Sequence, residues 1–306
     1  MDYTSTLINQ IILMFIIIGI GFYLMKTKFY NENFVSTLGN LLVFVINPLT
    51  IFNSFVNDYS NEKVNQLLIS FLLAIIAMVI TVVISYIAFH DKKYYVEQYC
   101  TMIANCGFFG LPIIIAIFGQ KAVFFGSSVI ALNNIAQWAY GPYIMTRDIK
   151  TINFKKIITN PNIIAFLLGL VFFFIRIPVP IVLTNTFKSM GDMMGPISSL
   201  IIGSSLANTN IGELKNDVKT LIPLSVLRLA IIPLCIVFAF KFVDNSYSII
   251  KYTILIMCST PSGTTGAVLT RIFNRDYEKA SRIICFTTIL SAISLPLITE
   301  LATKIW

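Results

Sequence analysis

Histidine occurs once, at His90, so neither a histidine-built metal centre nor a Ser-His-Asp arrangement can be assembled from this chain. Charge is equally scarce: 12% of the 306 residues are Asp, Glu, Lys or Arg, and the charged positions fall almost entirely between apolar runs. No water-soluble domain fits between those runs. The five cysteines, Cys100, Cys106, Cys235, Cys258 and Cys285, are odd in number and embedded in apolar sequence without a CxxC pair. That excludes a secreted disulfide framework and leaves them as packing residues. HExxH and GxSxG are absent, and no lysine lies in an apolar run to activate Ser259 or Ser262. No catalytic and no metal-ligating residue is therefore assigned. No basic residue precedes the first apolar run, which carries Asp2 instead and is longer than a signal peptide's core, so it is expected to persist as a first span.

What is present is hydrocarbon. The chain is 57% hydrophobic with a mean hydropathy of +0.82, which places it in a bilayer rather than in water. About 20 mostly apolar residues make one spanning helix. Ten runs qualify: 3–25, 33–57, 64–90, 98–120, 122–146, 157–175, 193–212, 220–240 (interrupted by Arg228), 252–270 and 283–299. The net charge of +8 then reads as orientation and headgroup contact rather than as affinity for nucleic acid. With the N-terminus outside, fourteen Lys and Arg fall in the inner connections, from Lys26 and Lys28 to Lys279 and Arg282, against seven outside. Both termini are expected on the extracytoplasmic side of the cell membrane.

The strongest break is the short basic connection 147–161 after the fifth run. It divides the chain into 1–146 and 162–306, each with five spans. An odd number per half forces the second half to insert upside down if the two are related, the inverted-repeat plan. The expected fold is an all-α membrane protein of ten transmembrane helices in two inverted five-helix repeats.

Weak internal similarity points the same way. The fourth run contains Asn105-Cys-Gly107-Phe-Phe-Gly110-Leu-Pro112, and the ninth contains Ser259-Thr260-Pro261-Ser262-Gly263-Thr264-Thr265-Gly266. Proline removes a donor and glycine loosens a turn, while in lipid a helix breaks only where protein or a wet cavity satisfies the freed groups. Broken helices 4 and 9, crossing, would turn half-helix N-termini toward one point and favour an anion there. Asn105, Gly107, Gly110 and Pro112, and Ser259 to Gly266, are the candidate substrate contacts. Kinked helices packed through small residues are the structural alternative.

Further polar positions are candidates for gating or structure. Asn47-Pro48 and Gly195-Pro196 are breaks in the second and seventh runs. Asn133, Asn134 and Gln137 lie in the fifth, with Asn133 and Gln137 on one helical face, and should face protein or a cavity. Arg228, about eight residues into its span, demands a partner: a helix C-terminus, Asp192 or a substrate carboxylate. A structural or gating pair is the favoured role. Asp192 and Glu300 lie near span ends and Glu97 at the mouth of the fourth; no acidic cluster announces a cation site. No cofactor is expected, and coupling to H+ or Na+ stays open.

At these breaks the sequence resembles the auxin efflux carrier family in its bacterial form, which lacks a long central hydrophilic loop. The residues that carry the resemblance are Asn47-Pro48, Asn105 to Pro112 with Phe118-Gly119, Gln137, Arg228-Leu-x-x-x-Pro233, and Ser259 to Gly266. The resemblance implies a scaffold of helices 1, 2, 6 and 7 and a mobile unit of helices 3–5 and 8–10, with elevator-like alternating access. It also implies carboxylate substrates such as malate or malonate, homodimers through the scaffold, and substrate binding at Asn105 and around Pro261. Auxin itself is not the expected substrate, because Gly107-Phe-Phe-Gly110-Leu precedes a single Pro112 and there is almost no central loop.

The function expected is a secondary carrier of a small organic anion, with lipid as its surroundings and no nucleic-acid partner. Alternatives are a sodium-coupled symporter of the bile-acid type, which shares the crossed-helix plan, a non-transporting receptor or sensor, and an intramembrane enzyme using Ser259 or Ser262.

Overall fold

A computed structural model describes residues 3–56, 59–209 and 214–306, with side chains of 214–216 left aside. Asp2 and the expected run ends at 57 and 210–212 lie outside these residues. Among the described residues the chain is helical, apart from connections and one isolated antiparallel bridge.

Helices α1 (Tyr3–Lys26), α2 (Glu32–Leu41), α3 (Asn47–Phe55) and α4 (Asn61–Phe89) are followed by α5 (Tyr95–Met102), α6 (Leu111–Phe118), α7 (Lys121–Ile135) and α8 (Gly141–Thr146). A short α9 (Phe154–Ile158) crosses the central connection. Then come α10 (Pro161–Ile175), α11 (Ile181–Asp192), α12 (Met194–Asn208), α13 (Leu214–Val226), α14 (Ile232–Phe240), α15 (Ser248–Cys258), α16 (Thr265–Ile272) and α17 (Tyr277–Ile305).

Among the described residues, five helical stretches are long and apolar enough to cross a membrane: Tyr3–Lys26, Glu32–Phe55, Asn61–Phe89, Asp217–Phe240 and Tyr277–Ile305, the second and fourth with a π-helical turn inside. Other expected runs are assembled from shorter pieces. The seventh begins earlier than hydropathy suggests, at Ile181, and steps at Met193 between α11 and α12. The ninth also begins earlier, which places Lys251 inside α15 and buries it.

Four interruptions share one cause. Five-residue π-helical segments at 42–46, 106–110, 136–140 and 227–231 each run into an X-Pro pair: Asn47-Pro48, Leu111-Pro112, Gly141-Pro142 and Ile232-Pro233. In each, the amide ahead of proline bonds five residues back, as from Asn47 to Leu42 and from Leu111 to Cys106. Proline cannot donate and its ring crowds the preceding turn, so widening that turn by one residue relieves the clash while keeping the chain helical.

α1 and α2 pack on α12, and α3 packs on α10 and α11; α4, α7, α14 and α15 pack together, as do α5, α16 and α17. Contacts of α1 with α6 and α17, and of α3 with α7, join these sets.

Candidate functional site

Both expected breaks are present, and they cross. After α5 the chain is non-helical at Ile103–Asn105, and after α15 it is non-helical from Ser259 to Thr264. The two extended stretches run antiparallel, bridged at Ala104 and Ser262. The Asn105 amide donates to the Pro261 carbonyl and the Gly263 amide to the Ile103 carbonyl, each at 2.9 Å. Each break thus satisfies groups freed by the other, as an interruption buried in protein requires.

Four half-helix ends meet here. Because the stretches run antiparallel, the C-terminus of α5 lies beside the start of α16, and the C-terminus of α15 beside the start of the 106–118 segment. The Phe109 and Gly110 amides both return to the Asn105 carbonyl, at 3.0 and 3.2 Å, so those of Cys106, Gly107 and Phe108 precede the first intrahelical bond. At α16 the Gly266 and Ala267 amides return to Gly263 and Thr264. Two electropositive ends therefore frame the crossing.

Arg228 supplies a full charge. Buried at 1% exposure, its guanidinium donates to the Thr260 carbonyl at 2.9 and 3.1 Å, to Cys258 at 2.8 Å and to Thr101 at 3.4 Å. Of the partners left open by sequence, the structure gives it helix C-termini. Asp192 is exposed at the end of α11, and no ion pair joins it to Arg228 among the described residues. Carbonyl dipoles satisfy the donors and oppose the charge without neutralising it, so the crossing keeps a positive potential in a low-dielectric setting.

Polar side chains close the arrangement. Asn133 pairs with the Ala104 backbone through both its amide atoms, and Thr287 Oγ1 accepts from the Ser262 amide at 3.2 Å. Tyr99 and Thr265 share a hydroxyl contact of 3.1 Å. Gly110 packs on Thr260, where a Cβ would come within 3.2 Å of its methyl, and a Cβ on Gly107 would lie 3.5 Å from Asn47 Nδ2. Buried atoms without a hydrogen-bond partner among the described residues include Asn105 Nδ2, Asn47 Oδ1, Ser259 Oγ and Ser262 Oγ. Unpaired buried polar atoms are costly, and these four lie at or beside the crossing.

Asn47, Asn105, Gly107, Gly110, Asn133, Arg228, Ser259, Thr260, Pro261, Ser262 and Gly263 thus gather at or beside the crossing. Pro112 abuts Gly195 just beyond it, while Thr264, Thr265 and Gly266 open α16. Asn134 instead bonds the Ile130 carbonyl and Asn160, and Gln137 is buried in the π-helical segment of the fifth run. Sequence reasoning missed Thr101, Tyr99 and Thr287. Hydroxyls are common in membrane helices, and only the register of α5 and α17 against the breaks selects these three.

A many-pass helical protein whose interrupted helices cross at a polar, positively charged point belongs to the class of integral membrane transport proteins. Comparison with known sequences gives the family: the profile of the membrane transport protein family, that of the auxin efflux carriers, matches residues 6–148 and 142–299, and the chain belongs to it. The chain is also 30% identical over 210 residues to an uncharacterized transporter of Methanothermobacter thermautotrophicus, an alignment covering 63% of this chain and 63% of that protein.

Proposed function

We propose that the chain is a secondary carrier of a small organic anion, a mono- or dicarboxylate such as malate or malonate, which binds at the crossing of the two broken helices. The observation that carries this reading is the buried Arg228, held by carbonyls alone, beside two half-helix N-termini and the unpaired Asn105 Nδ2. A carboxylate offers acceptors to these donors and a charge to balance the guanidinium; a cation would meet repulsion and a neutral solute would leave the field unbalanced.

Alternating access by an elevator-like displacement belongs to the same proposal and is supported by the family the chain belongs to. Helices 1, 2, 6 and 7 would form the scaffold, and helices 3–5 and 8–10 the moving unit that carries the whole crossing. Two inverted repeats, divided at the 147–161 connection, belong to the same proposal and are supported by the two broken helices in corresponding positions. Basic loops on the cytoplasmic side, a homodimer, and coupling to H+, Na+ or neither belong to the same proposal.

The test is uptake of radiolabelled malate and malonate by proteoliposomes, with and without sodium and across a pH gradient. Saturable uptake that Asn105→Ala reduces supports the reading. Inert proteoliposomes for every carboxylate tried, with thermal stabilisation by those same anions, would instead identify a receptor.

A further inference from the structure

From the crossing outward, α3 carries a polar face of which only Asn47 borders the anion site. Asn47, Thr50 and Ser54 follow one another at helical spacing, exposed by only 3%, 1% and 8%, with Asn53 beside them. Thr50 and Ser54 satisfy themselves on carbonyls of their own helix. The amides do not: Asn47 Oδ1 and Asn53 Oδ1 are buried without a hydrogen-bond partner.

Opposite them stands Gln120, in the turn between α6 and α7, whose Nε2 is likewise buried and unpartnered. Gly191 at the end of α11 fixes the relation. A Cβ built there would lie 2.9 Å from Thr50 Oγ1 and 3.6 Å from Gln120 Nε2, so both groups border one point. Four residues further on, Gly195 brings α12 against Pro112 of α6. Unpaired amide groups therefore occur at both ends of this contact, Asn47 beside Gly107 at the crossing and Gln120 beside Gly191, with the unpaired Asn53 Oδ1 further along α3 toward the end of the molecule opposite Lys26 and Lys28. The contact lies where α3 and α11 meet the turn between α6 and α7.

Unpaired amides in a dry contact are expensive, whereas apolar side chains of the same shape would seal it at lower cost. The expense is explained if the contact is wet in a second conformation. We infer that Asn47, Thr50, Asn53 and Gln120 line the substrate's path between the crossing and the far end of the molecule, shut in this structure by α11. The inference rests on the anion-carrier reading and extends it to residues outside the crossing. In the open form water and a passing carboxylate take up the free amide groups; in the shut form those groups hold the barrier low by making closure imperfect.

Gln120→Leu and Asn53→Leu, singly and together, test this. Removing a penalty paid only in the shut form should favour that form by about 5- to 150-fold. The expected result is a higher melting temperature together with a comparable fall in maximal malonate flux and little change in KM. Residues that merely pack would give lower stability or unchanged flux, and either result overturns the inference. Thr50→Cys on a Cys235→Ser background gives a second readout. A membrane-impermeant thiol reagent should label it from one face of the membrane, and Gln120→Leu should slow that labelling. Absence of labelling in a protein that still transports overturns the path and leaves the carrier intact. Labelling in a protein that carries no anion retains the path and removes the carrier.

Discussion

Asn133 and Ala104 are joined by two hydrogen bonds: the Ala104 amide donates to Asn133 Oδ1 and Asn133 Nδ2 donates to the Ala104 carbonyl, each at 3.2 Å. A side chain on α7 thus replaces the helical partners that the break takes from Ala104 and holds the interrupted strand in register with Ser262.

Asn133→Leu leaves both backbone groups of Ala104 buried and unpaired, and the expected loss is about 1–3 kcal/mol for each. Asn133→Asp keeps the acceptor and loses the donor, so it should fall between. Melting of detergent-solubilised protein measures the order, wild type above Asp above Leu. Equal melting of all three would remove Asn133 from this role.

Asn105 differs, because its side-chain Nδ2 has no hydrogen-bond partner among the described residues. Its backbone holds the crossing, with the amide on Pro261 and the carbonyl on Phe109 and Gly110, while Nδ2 is free. Asn105→Ala should leave melting within about 1 kcal/mol of wild type while weakening malonate binding about tenfold or more, the value of one hydrogen bond to a charged group. Thermal shift against ligand concentration gives both numbers from one sample.

Much of this was legible in the sequence because bilayers simplify the reading. Hydrophobic runs announce spans, and proline with glycine announces where they break, as at Asn105–Pro112 and Pro261–Gly266. Three features were not fully legible. The start of the seventh run at Ile181 was hidden because α11 carries Thr184, Asn185, Thr186 and Lys188, which lower its hydropathy without ending the helix. The partner of Arg228 stayed one of three candidates because it is backbone, which every residue has. The widened turns before Pro48, Pro112, Pro142 and Pro233 are local, but other prolines, such as Pro296 within α17, lie in helices without one.

Arg228 is the second side chain that binds the breaks together, reaching Thr101 at the end of one half-helix and Cys258 and Thr260 at the end of the other. Arg228→Ala strands three carbonyls and should cost about 3 kcal/mol or more, enough to lower the yield of folded protein. Arg228→Lys keeps the charge but loses the planar fork, so it should fold better than Ala while melting below wild type. If the charge draws the anion, the Lys variant should bind malonate more tightly than an Arg228→Met variant that folds equally well. Equal affinity in those two would assign Arg228 to structure alone.

The contact of α1 with α12 depends on two glycines, alongside a hydrogen bond from Ser204 Oγ to the Gly21 carbonyl at 3.4 Å. A Cβ on Gly203 of α12 would fall inside the contact shell of the Ile18 carbonyl, and one on Gly21 of α1 inside that of Leu200, so the two backbones touch and no side-chain rotation can make room. Close approach of this kind is how membrane helices gain packing energy without a hydrophobic driving force. Gly203→Ala and Gly21→Ala must each separate α1 from α12, with an expected loss of about 1–3 kcal/mol from overpacking. Gly39 of α2 is the control, since a Cβ there meets nothing within 4 Å. Gly39→Ala should be neutral or raise stability by up to about 1 kcal/mol through helix propensity. Melting of the three variants separates a contact glycine from an incidental one, and a Gly203→Ala protein as stable as Gly39→Ala would mean that the α1 and α12 interface tolerates a wider spacing than the structure shows.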